Sequence, residues 1–188
     1  MAIIVLIRHG ETDWNIIGRY QGQADPPLNS NGIKQAQQLA IELLQSSIDV
    51  IYTSPLLRTK ETADIISEKL DLQQIDEPRL MEINQGDWQT RLRSEIEHLY
   101  PELFAAWENT PWDVSPPGGE YLHDVQIRVN AAVDDIVRQE PGQKVGLVTH
   151  RIPIALIKMR YQNMDPDIVR TIHLPNAYWE EIQVSPVP

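Results

Sequence analysis

The stretch Ile3-Ile4-Val5-Leu6-Ile7-Arg8-His9-Gly10-Glu11-Thr12-Asp13-Trp14-Asn15 decides how the rest of the chain is read. Its apolar run, Ile3 to Ile7, ends abruptly in a cation, an imidazole and a glycine. A short apolar run bounded by a turn signal reads as a buried strand. Such a strand presents Arg8 and His9 at its carboxyl end, the edge where open α/β sheets bind ligands. Gly10 lets the backbone turn or come close to a ligand. Arg8 offers a planar fork of donors suited to phosphate or carboxylate. His9 is the side chain best able to act as nucleophile or proton carrier near neutral pH. The stretch therefore points to an anion site with a reactive histidine. An ordinary strand exit, with His9 capping a carbonyl and Arg8 solvated, is the alternative that the tripeptide alone leaves open.

Composition narrows the classes. A chain of 188 residues fits one domain, and 41% apolar residues supply a real core. The net charge of −11 repels nucleic acid and anionic membranes, so neither is expected as a partner. An anionic substrate would need a local cationic pocket against that field. With no cysteine, disulfides and thiolate chemistry are excluded. The apolar run at the start is too short to span a bilayer, and a cytoplasmic protein is expected.

Outward from the first strand, residues 16–27 form a Gly- and Pro-punctuated loop that contains Gln21 and Gly22. Asn29 to Gly32 gives capping chemistry for a helix whose inward face is Ile33, Ala36, Ala40, Leu43 and Leu44. Ile48 to Tyr52 is a second strand. It ends in Thr53-Ser54-Pro55, with Arg58 in the first turn of a helix striped by Leu56, Ala63, Ile66 and Leu70. A third strand is expected near 72–75. Residues 91–109 read as helix interrupted by Pro101, a cap around 90–115 in which Trp107, Pro111 and Trp112 either cover the site or pack as core. A long helix from about Glu120 to Gln139 turns Val125, Val129, Ala132, Val133 and Ile136 inward. Val145 to Thr149 is a buried strand ending in His150-Arg151, and the tail from Thr171 to Val184 reads as one or two strands broken near Pro175-Asn176. Strands alternating with amphipathic helices argue for a parallel sheet covered on both faces.

Right-handed crossovers would gather three strand ends on one edge: Arg8-His9, Thr53-Ser54 with Arg58 beyond, and His150. Two arginines, two histidines and a nearby glutamate suit phosphoryl transfer, which needs positive charge around the equatorial oxygens and an in-line nucleophile. Two isolated histidines without a carboxylate cluster make a weak metal site, so neither metal nor cofactor is expected.

The block Ile7 to Asn15 resembles the signature of the histidine phosphatase superfamily, the phosphoglycerate mutase-like proteins. The likeness continues through Gly18 to Gly22, Asp25 to Leu28, Gly32 to Ala36, Thr53 to Ala63, Leu80 to Trp88, Pro117 to Glu120 and Val148 to His150. The resemblance implies a three-layer α/β/α sandwich with a mostly parallel sheet and one antiparallel strand, in a single domain over 1–188. It implies that His9 is a nucleophile forming a phosphohistidine. Arg8, Arg58 and His150 would hold the phosphoryl oxygens, and Asn15 would add a neutral donor. Glu82 would protonate the leaving oxygen and then take a proton from water. Gln21 and Gly22 would meet the rest of the substrate. Residue by residue, simpler roles stand beside these: a surface arginine at 58, a core histidine at 150, a surface carboxylate at 82, a turn cap at 15.

Two departures are visible. Arg151 stands where the family usually has glycine, and either points to solvent or leans over the pocket mouth toward a second anionic group on the substrate. Gln89-Thr90 replaces the usual Glu-Gly. The short chain and the segment from Glu82 to Trp88 resemble the phosphatase branch, acting on small phosphorylated metabolites. A phosphoglycerate mutase is the alternative, and a non-catalytic anion-binding module the third reading. A homodimer is left open.

Overall fold

The computed structural model describes residues 2–185. The opening apolar run lies in strand β1 (Ala2–Arg8). Its side chains alternate between two cores: Ile4 and Leu6 enter one, Val5 and Ile7 the other. A strand can afford this only when both faces are covered, which is why the run is continuously apolar. Helix α1 (Asp13–Ile16) and helix α2 (Ser30–Glu42) follow, then β2 (Val50–Thr53), α3 (Leu57–Leu70) and β3 (Gln73–Asp76). Next come α4 (Arg93–Leu99), α5 (Pro101–Asn109) and α6 (Leu122–Gln139). The chain closes with β4 (Lys144–Thr149), α7 (Arg151–Tyr161), α8 (Ile168–Thr171) and β5 (Trp179–Val184).

The strands form one sheet in the order β3-β2-β4-β1-β5. Four are parallel, and β5 runs antiparallel to β1 at one edge. One face packs Val5, Ile7, Ile51 and Val148 against Leu39, Ala40 and Leu43 and against Ala63 and Ile66 of α3. The other packs Ile4, Leu6, Tyr52 and Leu147 against α6 and α7, where all five inward residues expected of the long helix are buried. This is the three-layer α/β/α arrangement with one antiparallel strand. Among the described residues no helix is long and apolar enough to cross a membrane.

Register places the site. Arg8 lies opposite Thr149, and Thr53 opposite Val148, so three parallel strands stop together. His9 N–H still donates to Thr149 O and Ser54 N–H to Val148 O, which carries the ladder one residue beyond the strands. At this edge α2 begins in backbone contact with the site loop. A Cβ on Gly32 would stand 2.1 Å from Glu11 O, and one on Gly10 2.6 Å from Gly32 O, so only glycine fits either place.

Several local expectations need correction. Ile33 and Leu44 are exposed rather than inward. Gly32 takes the inward position at the start of α2, which turns Ile33 outward. At the other end Leu43–Gln45 tightens into a 3-10 turn, so Leu43 goes in and Leu44 out. The third strand is shifted by one residue, to 73–76. Of the one or two strands expected in the tail, one forms, Trp179–Val184. Residues 168–171 wind into α8 with an Asp167 carbonyl receiving Thr171 N–H, which leaves too little chain for a strand before Pro175.

Candidate active site

His9 is 3% exposed at the floor of the pocket. Its Nδ1 lies 2.7 Å from Gly10 O. A carbonyl only accepts, so Nδ1 carries the ring proton and Nε2 keeps its lone pair. Burial, reinforced by the charges of Arg58 and Arg8, holds this imidazole well below the usual histidine range. It is therefore neutral at neutral pH.

Two guanidinium groups flank it. Arg8 donates from Nη1 to Leu174 O. Arg58 donates to Ala24 O at 2.9 Å and Gly22 O at 2.7 Å. Each leaves a buried Nε without a partner. Burial lowers both from their ordinary value to about 10, partly offset by the Glu82 charge, so both remain cations at neutral pH. A surface role for Arg58 is ruled out by its 1% exposure. Gly22 takes φ +51°, and its carbonyl is one of the two that receive Arg58.

His150 is buried one layer behind His9, their ring centroids 5.3 Å apart, and does not itself line the cavity. Its Nε2 meets Ser54 Oγ at 2.8 Å while its Nδ1 has no partner. Burial and the charge of Arg58 push its pKa well below the usual range. Asn15 both caps and faces the site. Its N–H and its Oδ1 close a capping box with Thr12, and the residue lines the cavity. Gln21 lines it too, with a buried, unpartnered Oε1.

Glu82 lines the same cavity, its Oε1 accepting Ile83 N–H at 2.9 Å. Its backbone is held by a clamp that sequence reading missed. Arg128 donates to the carbonyls of Arg79, Met81 and Glu82, and is itself gripped through two hydrogen bonds by Glu120, which also accepts Asn84 N–H. The Glu120 block is legible in the sequence, but its Arg128 partner, eight residues on, carries no local signal.

The cavity measures about 530 Å³. Arg8, Arg19, Arg58, Arg93, Arg151 and Arg170 line it against two acids, Glu82 and Glu108. Arg151 does not point to solvent. Its Nη2 crosses the wall to Val169 O at 2.9 Å and Arg170 O at 3.1 Å, tying α7 to α8. Trp107 is core and wall at once: it is buried edge-on against Trp88 and also lines the cavity. Trp112 bonds Pro166 O. The Gln89-Thr90 departure stitches the 18–23 loop: Gln89 Oε1 accepts Gln23 N–H, Thr90 N–H donates to Tyr20 O, and Thr90 O accepts the Arg19 side chain. Among the described residues no group of three or more His, Asp or Glu is placed to hold a metal.

Arg8, His9, Asn15, Gln21, Gly22, Arg58, Glu82 and Arg151 thus converge on one cavity, with His150 directly behind it. Comparison with known proteins agrees with the arrangement. The family model of the histidine phosphatase superfamily (branch 1) matches residues 4–186. Phosphoserine phosphatase 1 of Hydrogenobacter thermophilus is 42% identical over 98% of this chain and 88% of its own. A probable phosphoglycerate mutase of Yersinia enterocolitica is 32% identical over 100% of this chain and 87% of its own. A mycobacterial glucosyl-3-phosphoglycerate phosphatase, solved with VO3, superposes with a TM-score of 0.88 at 31% identity, covering 96% of this chain and 92% of that one. A sheet edge that gathers two histidines between buried arginines, in a chain matched along nearly its whole length, makes this protein a member of branch 1 of the histidine phosphatase superfamily.

Proposed function

We propose that the protein is a phosphomonoesterase that works through a phosphohistidine on His9. The observation that carries this reading is the tautomer: Nδ1–H is committed to Gly10 O, so Nε2 offers a lone pair between two buried cations with unpartnered Nε donors. Nε2 attacks phosphorus, the P–N bond forms as the P–O ester bond breaks, and the leaving oxygen takes a proton from Glu82. Ile83 N–H occupies Glu82 Oε1, which leaves Oε2 to carry that proton. Water then attacks phosphorus and returns a proton to Glu82. The P–N bond breaks, and orthophosphate leaves with His9 restored. Arg8 and Arg58 hold the equatorial oxygens. We read the Ser54 hydroxyl as the donor to His150 Nε2, which leaves the ring proton on the unpartnered Nδ1 and makes His150 a neutral support behind His9.

The outer arginines favour a monoester with a second anionic group, and the likeness to a phosphoserine phosphatase supports phosphoserine as the first substrate to try. Positive charge comes from side chains, so turnover should survive EDTA. Loss of activity on chelation, restored by a divalent ion, would overturn that part. The charge of −11 turns nucleic acid away, and we read the working place as the cytoplasm.

The test is a panel of phosphomonoesters beside a phosphoglycerate interconversion assay with bisphosphoglycerate present. Orthophosphate release without interconversion is expected. Interconversion without release would make it a mutase, and neither would leave an anion-binding module. His9→Ala should abolish both turnover and an acid-labile, base-stable phosphoprotein.

A further inference from the structure

The sequence singles out Asn176 only as a break before the last strand. In the fold it lies in the turn Leu174–Tyr178 that leads into β5, and that turn brackets the reactive loop. Leu174 O receives the Arg8 side chain, Tyr178 O receives Arg8 N–H at 2.8 Å, and Ala177 N–H donates to His9 O at 3.0 Å. At the centre, Asn176 Nδ2 lies 3.3 Å from His9 O, 3.2 Å from Gly10 O and 3.2 Å from Asn15 Oδ1.

The identity of these atoms follows from their neighbours. Thr12 N–H can only donate, so the Asn15 atom 3.0 Å from it is oxygen. Asn176 then faces three acceptors, two carbonyls and that oxygen, so its contacting atom is nitrogen. Ala177, beside it, is held at φ +56°. A non-glycine residue in that region is strained, and the turn keeps the strain while aiming Ala177 N–H and the Asn176 amide at the loop.

We infer that Asn176 is a positioning residue for phosphoryl transfer, fixing the Asn15 amide and the Gly10 carbonyl through one side-chain nitrogen. Asn15 Oδ1 is occupied by Thr12 N–H, Thr12 Oγ1 and Asn176 Nδ2, so the amide cannot flip and its own Nδ2 remains for the anion. Gly10 O is the acceptor that keeps the proton on His9 Nδ1. Asn176 holds that oxygen in place, and through it the lone pair on Nε2. The inference rests on the phosphohistidine reading above.

The test uses Asn176→Asp, which keeps the shape but sets an acceptor against three oxygens, and Asn176→Ser, whose hydroxyl is too short to reach all three. With p-nitrophenyl phosphate, kcat/KM of the folded enzyme should fall about thirtyfold or more for Asp and about tenfold for Ser. The inhibition constant of orthophosphate should rise about three- to tenfold, because Asn15 no longer points at the anion. In an Asn15→Ala background, Asn176→Ser should cost less than it does alone, because only its hold on Gly10 O is left to lose.

Wild-type enzyme in the same assay separates the two readings. If it releases no phosphate, the phosphohistidine reading fails. If it does and the Asn176 variants match it in kcat, KM and phosphate inhibition, the inference fails. A loss fully accounted for by a smaller folded fraction, or failure of both variants to fold, would assign Asn176 a structural role and overturn the inference too.

Discussion

Two imidazoles buried side by side make His9 and His150 the residues on which pH acts most directly. In the unfolded chain they protonate near about 6.5. Folded, both are held neutral well below that. The unfolded state therefore binds more protons once the pH drops below the ordinary histidine value. Stability is intact above that value and erodes beneath it, by up to about 1.4 kcal/mol per pH unit for each group. Glu77, Asp135 and Glu180, whose carboxyls are lowered by hydrogen bonds to arginine or lysine, add their erosion only in more acid solution. Urea unfolding at pH 7.5, 6.5 and 5.5 should show the loss, and His150→Gln should flatten it. A slope unchanged in that variant would mean that burial does not hold the histidine neutral. Arg151 carries a second prediction at this scale. Arg151→Gly should raise KM for phosphoserine about five- to thirtyfold while leaving p-nitrophenyl phosphate nearly untouched, because a partly exposed charged contact contributes about 1 to 2 kcal/mol. Its grip on Val169 and Arg170 predicts a lower melting temperature as well, but loss of α8 alone would affect both substrates equally.

Elements hold Glu82, the proposed acid, in place. The 79–82 segment has little regular structure of its own, and Arg128 on α6 takes three of its carbonyls. Arg128→Met should cost about 2 to 4 kcal/mol, since a half-buried pair loses one member and leaves the Glu120 carboxylate uncompensated. It should also slow alkyl phosphates more than p-nitrophenyl phosphate, whose leaving group needs little help from Glu82. Equal slowing of both would detach the clamp from the acid. Thr90 gives the opposite sign. It is exposed, with φ +69°, where the family usually places glycine. Thr90→Gly should raise stability by about 1 kcal/mol, read from denaturant midpoints. These elements also show what sequence reading reaches. β1, β2 and β4, and the arginine and histidines at their ends, were legible because period and turn signals are local. The outward turn of Ile33 was not, because it depends on a backbone contact between Gly32 and Glu11 that no helical period encodes. The Arg128 clamp was not, because an arginine on an amphipathic helix looks like any solvated one.

At the scale of the whole molecule, the site is an agreement between distant parts of the chain. The resemblance named Arg8, His9, Asn15, Arg58, Glu82 and His150, and the fold brings them to one edge or one layer behind it. What it could not name is the turn at 174–178, whose contacts with residues 8–15 leave no mark in either stretch alone. The placement of β1 has a further consequence for how the protein comes into being. β1 leaves the ribosome well before its partners at 144–149 and 179–184, more than 130 residues further along the chain. Until then Ile3 to Ile7 is an apolar segment with both hydrogen-bonding edges vacant, the kind of sequence that sticks to copies of itself. Distant partners also slow the search for the native pairing. Nascent chains stalled short of Trp179 should be captured by chaperones and remain inactive. A release of β5 from a finished chain should silence the enzyme and expose β1 in one event, so that loss of activity and onset of aggregation share a single midpoint.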